Sequence, residues 1–437
     1  MARRSTSDTP RRAASAAPPR AGAASVAMTK PPSRTTGGEP RPTTPWGRFA
    51  LLYAVFFMMG AEMYLVSPFL PTISRDLHTS TAAAAAVVTS YVLTYAIAGP
   101  VLGVPADRVE RRVFITAGVV VFLVGNVLCA LAPTLGTLIA ARAVTGLGGA
   151  AAAPAIWAYL AEHSAPERRG KAVSWGASLY SLGQVLGVPL GTAVAGLSSW
   201  RWPFAAIGVA LACAVPVLAT RLRGARPGGG RSFAAVLHPW ADSRIRLGLL
   251  ATALLQAGRL GAYTFAGVLF SQRFGFSLGD LGLVGLLVGL ASVVGSTLTG
   301  HLVGRARARG RHEIWLSVGW AVVFSGAVVV AVTSTVLWLS LAALFVWFLV
   351  GGAFYSTQQS YLSTVDPTQR ASVVSWNNSM MNAGIAVGTS LLGSLALGGF
   401  AFASLAGAFA LTAAACSFGV VLCAHRPVGP GPGRCRG

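Results

Sequence analysis

Residues 169–191 read RGKAVSWGASLYSLGQVLGVPLG, and residues 370–392 read RASVVSWNNSMMNAGIAVGTSLL. The two stretches align without gaps and share eight identical residues, including a tryptophan and two glycines four positions apart. Self-similarity across half a chain is typical of membrane proteins built from parallel structural repeats. The sequence therefore predicts two repeats, residues 48–220 and 246–424, joined by a polar linker at 221–245.

Apolar blocks of about twenty residues surround the repeated stretch on both sides. The chain is 54% hydrophobic and only 11% charged, which excludes an ordinary soluble domain. The blocks are continuous rather than alternating, so they predict membrane-spanning helices and not the strands of a barrel. Twelve blocks lie at roughly 48–70, 83–104, 112–132, 135–160, 171–197, 202–220, 246–271, 279–303, 314–333, 336–362, 371–396 and 400–424. We expect an all-α integral membrane protein with twelve transmembrane helices in two parallel six-helix repeats.

The net charge of +22 is distributed unevenly between the loops on the two sides of the predicted membrane. Of the 34 Lys and Arg residues, 29 lie in the tails and in the loops after even-numbered helices. The opposite loops hold only Arg75, Arg201 and Arg273. The positive-inside rule then predicts a multi-pass protein of the cell membrane with both termini in the cytoplasm. The basic loops are expected to contact anionic lipids on that face, and nucleic acid is not an expected partner.

Residues 1–47 are rich in Arg, Pro, Ser, Thr and Ala and contain no apolar run. This composition predicts a disordered cytoplasmic tail, and residues 425–437 are expected to form a second one. An organelle transit peptide, which is also rich in Arg and Ser, is the alternative for the N-terminal tail. The five cysteines form no disulfide framework or metal-ligand pattern, so neither a metal nor another cofactor is expected.

Glu62 is an acidic residue deep inside an apolar span, residues 49–70 (FALLYAVFFMMGAEMYLVSPFL). About fourteen residues separate it from the polar flank, or ~20 Å of helix, which places it near the middle of the bilayer. Ionisable residues at this depth mark functional sites, and proton binding is the expected role. An offset of 197 residues between the repeats maps Glu62 onto Arg259. We expect the two charges to meet across a central cavity; alternatively, each one snorkels or pairs locally.

The loop after the second predicted helix carries a motif with glycine, acid and arginines at fixed spacing. It reads Gly103-Val-Pro-Ala-Asp107-Arg108-Val-Glu110-Arg111-Arg112. It resembles motif A of the major facilitator superfamily, G-x-x-x-D-R-x-G-R-R, with Glu110 in place of a glycine. Gly103 is expected to admit a neighbouring helix, and Asp107 to cap a helix or pair with an arginine. The resemblance implies a gate that holds one transport state; the related Gly300–Arg305 segment lacks the acid.

Two further motifs are similar to those of the same superfamily. Arg142, in Leu138–Ala150, resembles the arginine of motif B, which is tied to proton coupling in that family. The alternative places Arg142 near the outer end of its helix, where it would reach interfacial water. The motif C resemblance comprises Gly183, Gly187, Pro189 and Gly191. Motif C and the surroundings of Glu62 resemble the drug:proton antiporter branch, of arabinose-efflux and chloramphenicol-resistance type, which implies that Glu62 binds the exchanged proton.

Other polar side chains within the apolar blocks are candidates for a substrate cavity, since polar residues in spans face the protein interior. These candidates are Tyr91, Tyr95, Asn126, Gln256, Arg259, Tyr263, Tyr355, Gln358 and Asn382. Any one of them could instead form a hydrogen bond between helices.

Together these features predict a secondary active transporter that exports small amphipathic molecules, such as antibiotics, in exchange for protons. A sugar or metabolite permease of the same fold is the first alternative, and a non-transporting membrane scaffold or sensor is the second. The sequence has no P-loop, which argues against an ATP-driven pump, and no catalytic pattern that would predict an enzyme. The protein is expected to act as a monomer.

Overall fold

A computed structural model describes most of the predicted membrane-embedded chain. The described residues are 46–106, 108–164, 166–222, 236–366 and 369–425. Within these ranges the regular structure is helical and there is no β-strand, as the sequence predicts. The predicted tails, except for residues 46, 47 and 425, and residues 223–235 of the predicted linker lie outside the described residues.

The first repeat forms eight helices, because two of its spans are interrupted. They are α1 (Trp46–Met63), α2 (Val66–Asp76), α3 (Thr81–Ala84), α4 (Ala86–Ala106), α5 (Arg111–Leu131), α6 (Leu135–Glu162), α7 (Pro166–Gly196) and α8 (Trp202–Arg221).

The second repeat follows a short 3-10 turn at His238–Ala241. Its helices are α9 (Ser243–Gln256), α10 (Ala266–Phe274), α11 (Leu278–Ala308), α12 (Ile314–Thr333), α13 (Leu337–Leu362), α14 (Arg370–Gly393) and α15 (Phe400–His425). A π-helical turn at Ala257–Gly261 extends α9 towards α10.

Helical segments occupy all twelve predicted ranges. Among the described residues, nine helices are long and apolar enough to cross a membrane, or ten if the bent pair α1 and α2 is one span. The pair bends by 55° around Tyr64 and Leu65. Pro68 lies four residues after Tyr64 and has no backbone N–H to donate to its carbonyl, which explains a break at this point. The corresponding span of the second repeat is interrupted after the π-helical turn, so both repeats begin with a broken helix.

Glycines of the repeated stretch bring helix backbones together in the same way in both repeats. A Cβ on Gly183 or Gly187 would collide with the backbone of α1 at Phe57 or Ala61. A Cβ on Gly384 or Gly388 would likewise collide with the backbone at Ala253 or Ala257. Small residues at these positions therefore allow the close contact that holds helices together in lipid, where the hydrophobic effect is weak. Sequence identity between the repeats reflects this shared packing.

The repeats meet mainly along three pairs of helices: α4 with α14, α7 with α11, and α2 with α10. At the third pair, the Ser67 hydroxyl donates a hydrogen bond of 2.7 Å to the carbonyl oxygen of Tyr263. At the second pair, a Cβ on Gly282 would lie 3.5 Å from the Cβ of Thr192. The loops that follow α2, α7 and α10 belong to the side predicted to face outside the cell.

Candidate functional site

Glu62 forms an ion pair with Arg142, a residue 80 positions further along the chain. Glu62 lies at the end of α1, two residues before the break at Tyr64, and Arg142 lies on α6. Both are buried, with 0% and 2% of the side chain exposed. The second carboxylate oxygen of Glu62 is buried and has no hydrogen-bond partner in the described part of the chain. The sequence identified each residue as a site candidate, and the structure brings them together.

The Arg142 guanidinium is surrounded by aromatic rings. Its central carbon lies 4.4 Å from the ring centroid of Tyr91 and 6.0 Å from that of Phe204. Its Nε donates a hydrogen bond of 3.4 Å to the carbonyl oxygen of Val87 on α4. Gly146 permits this arrangement, because a Cβ there would collide with the Tyr91 carbonyl and hold α6 away from α4. The burial and pairing of Arg142 show that the alternative with an interfacial, water-exposed arginine is wrong.

A buried carboxylate and guanidinium attract each other strongly when both are charged. Protonation of Glu62 would convert its carboxylate to a neutral acid and remove that attraction, leaving Arg142 as an isolated cation. The pair can thus couple the arrival of a proton to the packing of α1 against α6. The pair lies beside the break between α1 and α2. Because the break acts as a hinge between two rigid helices, a change in the packing of α1 can alter the angle between α1 and α2.

Arg259 is buried, as expected, but Glu62 is not its partner in this structure. Its Nη2 donates a hydrogen bond of 2.9 Å to the hydroxyl of Ser292 on α11. Its central carbon lies 5.0 Å from the ring centroid of Phe348 on α13. The expectation of a direct Glu62–Arg259 contact is therefore wrong for this conformation, because the carboxylate pairs instead with Arg142 of the same repeat.

Tyrosines from both repeats belong to aromatic clusters near the two buried arginines. The rings of Tyr64 and Tyr263 meet edge to face with centroids 5.9 Å apart, and the Tyr263 and Phe348 centroids are 4.9 Å apart. In the first repeat, the centroids of Tyr91 and Tyr95 are 6.3 Å apart. Three of the predicted cavity tyrosines thus belong to aromatic clusters next to a buried arginine.

The fourth tyrosine and two amides lie in the second repeat. The Tyr355 hydroxyl donates a hydrogen bond of 3.0 Å to the Asn378 side chain. Asn382 donates to the carbonyl of Asn378 within its own helix, at 2.9 Å. Gln256 is buried, and its side-chain oxygen has no hydrogen-bond partner among the described residues. Substrate contact by these three residues stays a prediction.

Two of the predicted cavity residues form hydrogen bonds to other groups of the protein. Gln358 donates a hydrogen bond of 3.0 Å to Ser417 on α15, so it forms the contact between helices that was its alternative role. Asn126 donates a hydrogen bond of 2.9 Å to the Phe122 carbonyl of its own helix, α5. α5 packs against α6 and α8 rather than against the second repeat. These contacts satisfy the side-chain nitrogens, but both side-chain oxygens are buried and have no hydrogen-bond partner among the described residues, so substrate contact by Gln358 and Asn126 also stays a prediction.

The motif A segment is partly described. Asp107 lies outside the described residues, so its predicted capping role stays a prediction. Gly103 does not admit a neighbouring helix as expected: no described atom lies within 4 Å of a Cβ placed there. The close approach occurs one turn earlier, where a Cβ on Gly99 would lie 2.9 Å from the Ser379 hydroxyl of α14.

The motif A arginines connect helix ends on the side predicted to be cytoplasmic. Arg111 donates a 2.7 Å hydrogen bond to the carbonyl of Ala106 at the end of α4. It also forms a 3.2 Å ion pair with Glu162 at the end of α6. Arg112 pairs with Glu110 at 3.4 Å, whereas Arg108 is exposed. Glu110, which departs from the family pattern, thus provides a local partner for Arg112.

The motif C glycines pack against α1 next to Glu62. Gly187 contacts the backbone of Ala61, the residue before Glu62, and a Cβ on Gly191 would collide with the side chain of Leu65. Pro189 lies inside α7, which continues to Gly196. The predicted close packing is present, and its role in antiport stays a prediction.

Four residues of the site were not predicted from the sequence: Tyr64, Ser67, Ser292 and Phe348. Tyr64 and Ser67 lie two and five residues after Glu62, so their spacing from an intramembrane acid was an available signal. Phe348 and Ser292 carried no such signal, because aromatic and hydroxyl side chains are common in membrane helices. The described residues contain no cluster of three or more metal-ligating side chains.

Comparisons with known proteins identify a common family. The family model described as Major Facilitator Superfamily matches residues 52–389. The "Uncharacterized MFS-type transporter YceJ" of Bacillus subtilis (strain 168) is 26% identical over 353 residues, which cover 80% of this chain and 89% of that protein. The "Putative multidrug resistance protein MdtD" of Escherichia coli O6:H1 is 33% identical over 163 residues, covering 37% of this chain and 34% of that protein.

Solved transporters share the fold at low sequence identity. A bacterial homologue of the human lysosomal transporter Spinster, solved in an inward-facing and unoccupied conformation, superposes with a TM-score of 0.70 at 16% identity. The match covers 87% of this chain and 96% of that chain. The nucleoside transporter NupG superposes with a TM-score of 0.64 at 13% identity, covering 86% of this chain and 98% of that chain.

Proposed function

The chain belongs to the Major Facilitator Superfamily, and from that premise we propose that it exports small amphipathic molecules across the cell membrane in exchange for protons. The family establishes a multi-pass membrane transporter and not an enzyme. The observation that carries the finer proposal is the buried Glu62–Arg142 ion pair beside the break between α1 and α2.

Glu62 is the proton carrier in this proposal. Substrate uptake from the cytoplasm accompanies release of a proton from Glu62, and the resulting carboxylate pairs with Arg142. A proton arriving from outside returns Glu62 to its neutral form and weakens that pair, which frees α1 to move relative to α6. The two repeats then rock about the central site, so that access alternates between the two sides. Both termini remain in the cytoplasm.

Two further observations support export rather than uptake. The motif C glycines pack directly against the segment of α1 that holds Glu62, so a signature of the antiporter branch contacts the proposed proton site. Partial matches to the putative multidrug resistance protein MdtD and to Multidrug resistance protein 3 of Bacillus subtilis (strain 168) also point to drug efflux.

The proposal is tested in inverted membrane vesicles that contain the protein and have an acidic interior. A panel of antibiotics and sugars is added, and both compound uptake and proton efflux from the vesicles are measured. We expect uptake of at least one amphipathic antibiotic, accompanied by loss of the pH gradient and abolished when the gradient is first collapsed. Uptake that ignores the gradient, or that is restricted to sugars, would contradict the proposal.

Glu62→Gln is the decisive variant, because glutamine resembles the neutral acid in shape but carries no exchangeable charge. The variant should reach the membrane and bind the same compound, yet lose the pH-driven part of transport. Asp76→Asn is the matched control: it also neutralises a carboxylate, but one that pairs with Arg201 outside the Glu62 site. Full proton-coupled export by Glu62→Gln would remove Glu62 from the mechanism.

A further inference from the structure

The membrane interior of this protein contains an imbalance of charge. Away from the ends of the twelve apolar ranges, the sequence has one carboxylate, Glu62, and two guanidinium groups, Arg142 and Arg259. The structure pairs Glu62 with Arg142. Across the part of the chain that is described, no ion pair involves Arg259, although only 4% of this residue is exposed. A buried cation without a counter-charge is unfavourable in a membrane, so a site of this kind favours an external anion.

Arg259 is held in place by neutral groups. Ser292 accepts a hydrogen bond from Nη2, and the Phe348 ring lies 5.0 Å from the central guanidinium carbon. Gly351 leaves room for the side chain, because a Cβ there would lie 2.5 Å from the Cδ and Nε atoms of Arg259. Nε is buried and has no hydrogen-bond partner among the described residues. The guanidinium is therefore fixed in position while part of its donor capacity stays unused.

The surroundings of Arg259 are aromatic and come from both repeats. Tyr64 belongs to the break after α1, two residues beyond Glu62, and its ring meets that of Tyr263, which in turn meets Phe348. Arg259 itself lies on the π-helical turn, a feature that is rare and frequently found at functional sites. Substrate sites of repeat-built transporters lie at the interface of the repeats near the midplane, where this group of residues is found.

We propose that Arg259 binds the carboxylate of an aromatic organic acid, whose apolar part contacts the rings of Tyr64, Tyr263 and Phe348. Arg259 supplies a planar set of donors suited to a carboxylate, and the aromatic rings supply the apolar surface typical of a small-molecule site. This inference rests on the proposed function and narrows its substrate class to amphipathic anions. It also gives the excess positive charge a role, because the bound acid replaces the counter-charge that the chain does not provide.

The test compares 2-naphthoate with its neutral analogue 2-naphthamide. Both compounds have the same ring system, and at pH 7.5 the naphthoate is ionised because ordinary carboxyl groups titrate near pH 4. Binding to the purified full-length protein in detergent is measured by equilibrium dialysis, without any gradient. We expect the wild-type protein to bind the naphthoate about tenfold more tightly than the amide, the ratio expected for one good charge-assisted contact.

Arg259→Gln should abolish that preference, because the substitution removes the charge-assisted contact with the carboxylate. The affinity for the neutral amide should stay within about threefold, because the amide does not depend on that charge. Arg259→Lys should retain part of the preference, since it keeps the charge but loses the planar fork. Arg309→Gln is the matched control, because it removes the same charge at an exposed position after α11 and should bind both compounds like the wild type.

Equal affinity of the wild-type protein for both compounds, or no binding of either, would overturn the anion site. So would a preference for the naphthoate that persists in Arg259→Gln. Equilibrium dialysis involves no pH gradient, so it tests the anion site independently of proton-coupled transport. Naphthoate binding that depends on Arg259, combined with transport that ignores the gradient, would retain the site and refute proton exchange.

Discussion

The Glu62–Arg142 pair holds two charges that have lost most of their hydration. Forming such a pair in a low-dielectric interior offers little net stability, because the attraction mainly offsets the loss of water. Removing one partner is a different matter, since it leaves the other charge buried and alone. This asymmetry supports the proposed role of the pair as a switch, because a proton on Glu62 would leave Arg142 without its counter-charge.

We predict that Arg142→Gln lowers the stability of the protein by ~3–5 kcal/mol, the usual loss when one member of a buried ion pair is removed. The double variant Glu62→Gln/Arg142→Gln should recover most of that loss, because neither charge is then left unpaired. Thermal unfolding of the purified variants in detergent at pH 7.5 measures both effects. Additive losses from the two single substitutions would show that the residues do not interact in the folded protein.

The sequence identified Glu62, Arg142 and Arg259 but did not predict which charges pair. The depth of Glu62 and Arg259 within their spans follows from counting residues, whereas an interfacial position was the alternative for Arg142. Their partners depend on how helices rotate and pack, and Glu62 and Arg142 are 80 residues apart in the chain. The repeat offset suggested Arg259 as the partner because it compares equivalent positions, whereas the actual contact lies within one repeat.

At the scale of helices, the glycines shared by the repeats determine how closely α7 approaches α1 and how closely α14 approaches α9. Small residues allow backbone contact, and in lipid this contact contributes much of the attraction between helices. The helix that carries Glu62 is thereby packed along its length against α7. The position of Glu62, the proposed proton carrier, consequently depends on residues that have no charge.

We predict that Gly187→Val prevents normal assembly, since its side chain would collide with the backbone of Ala61 and push α7 away from α1. Gly136→Ala in α6 is the matched control, because no described atom lies within 4 Å of a Cβ at that position. The control should be folded and at least as stable as the wild type, given the higher helix propensity of alanine. Monodispersity on size-exclusion chromatography and melting temperature report both outcomes; a normal Gly187→Val protein would contradict the packing.

Apolar blocks located the helices well, whereas the interruptions within spans were not predicted. Continuous apolar composition is required by the bilayer and is visible in any window of about twenty residues. The break around Tyr64 depends instead on one missing donor at Pro68, and the π-helical turn before α10 has no proline to mark it. Both interruptions depend on local packing, and the amino-acid composition of the span does not predict them.

At the scale of the whole molecule, the predicted orientation depends on the arginine-rich loops and can be tested directly. In a cysteine-free background, Ser198→Cys should react with an impermeant thiol reagent added outside intact cells. Arg309→Cys should react only after the cells are permeabilised. Both positions are exposed and lie in loops on opposite predicted sides. The reverse pattern would overturn the positive-inside assignment and place both termini outside the cytoplasm.

In the proposed mechanism, rocking of the repeats requires the contact between α7 and α11 to open and close during transport. Gly282 and Thr192 face each other there, and a Cβ on Gly282 would lie 3.5 Å from the Cβ of Thr192, within the range that a disulfide bridges. We predict that the double variant Thr192→Cys/Gly282→Cys, in a cysteine-free background, forms a disulfide on oxidation. Transport in inverted vesicles should then stop and return on reduction, because the bond would prevent α7 and α11 from separating.

Each single cysteine variant should be unaffected by oxidation, which controls for the substitutions themselves. Efficient cross-linking with unchanged transport would mean that α7 and α11 stay together throughout the cycle, and the motion that alternates access would then have to occur elsewhere between the repeats.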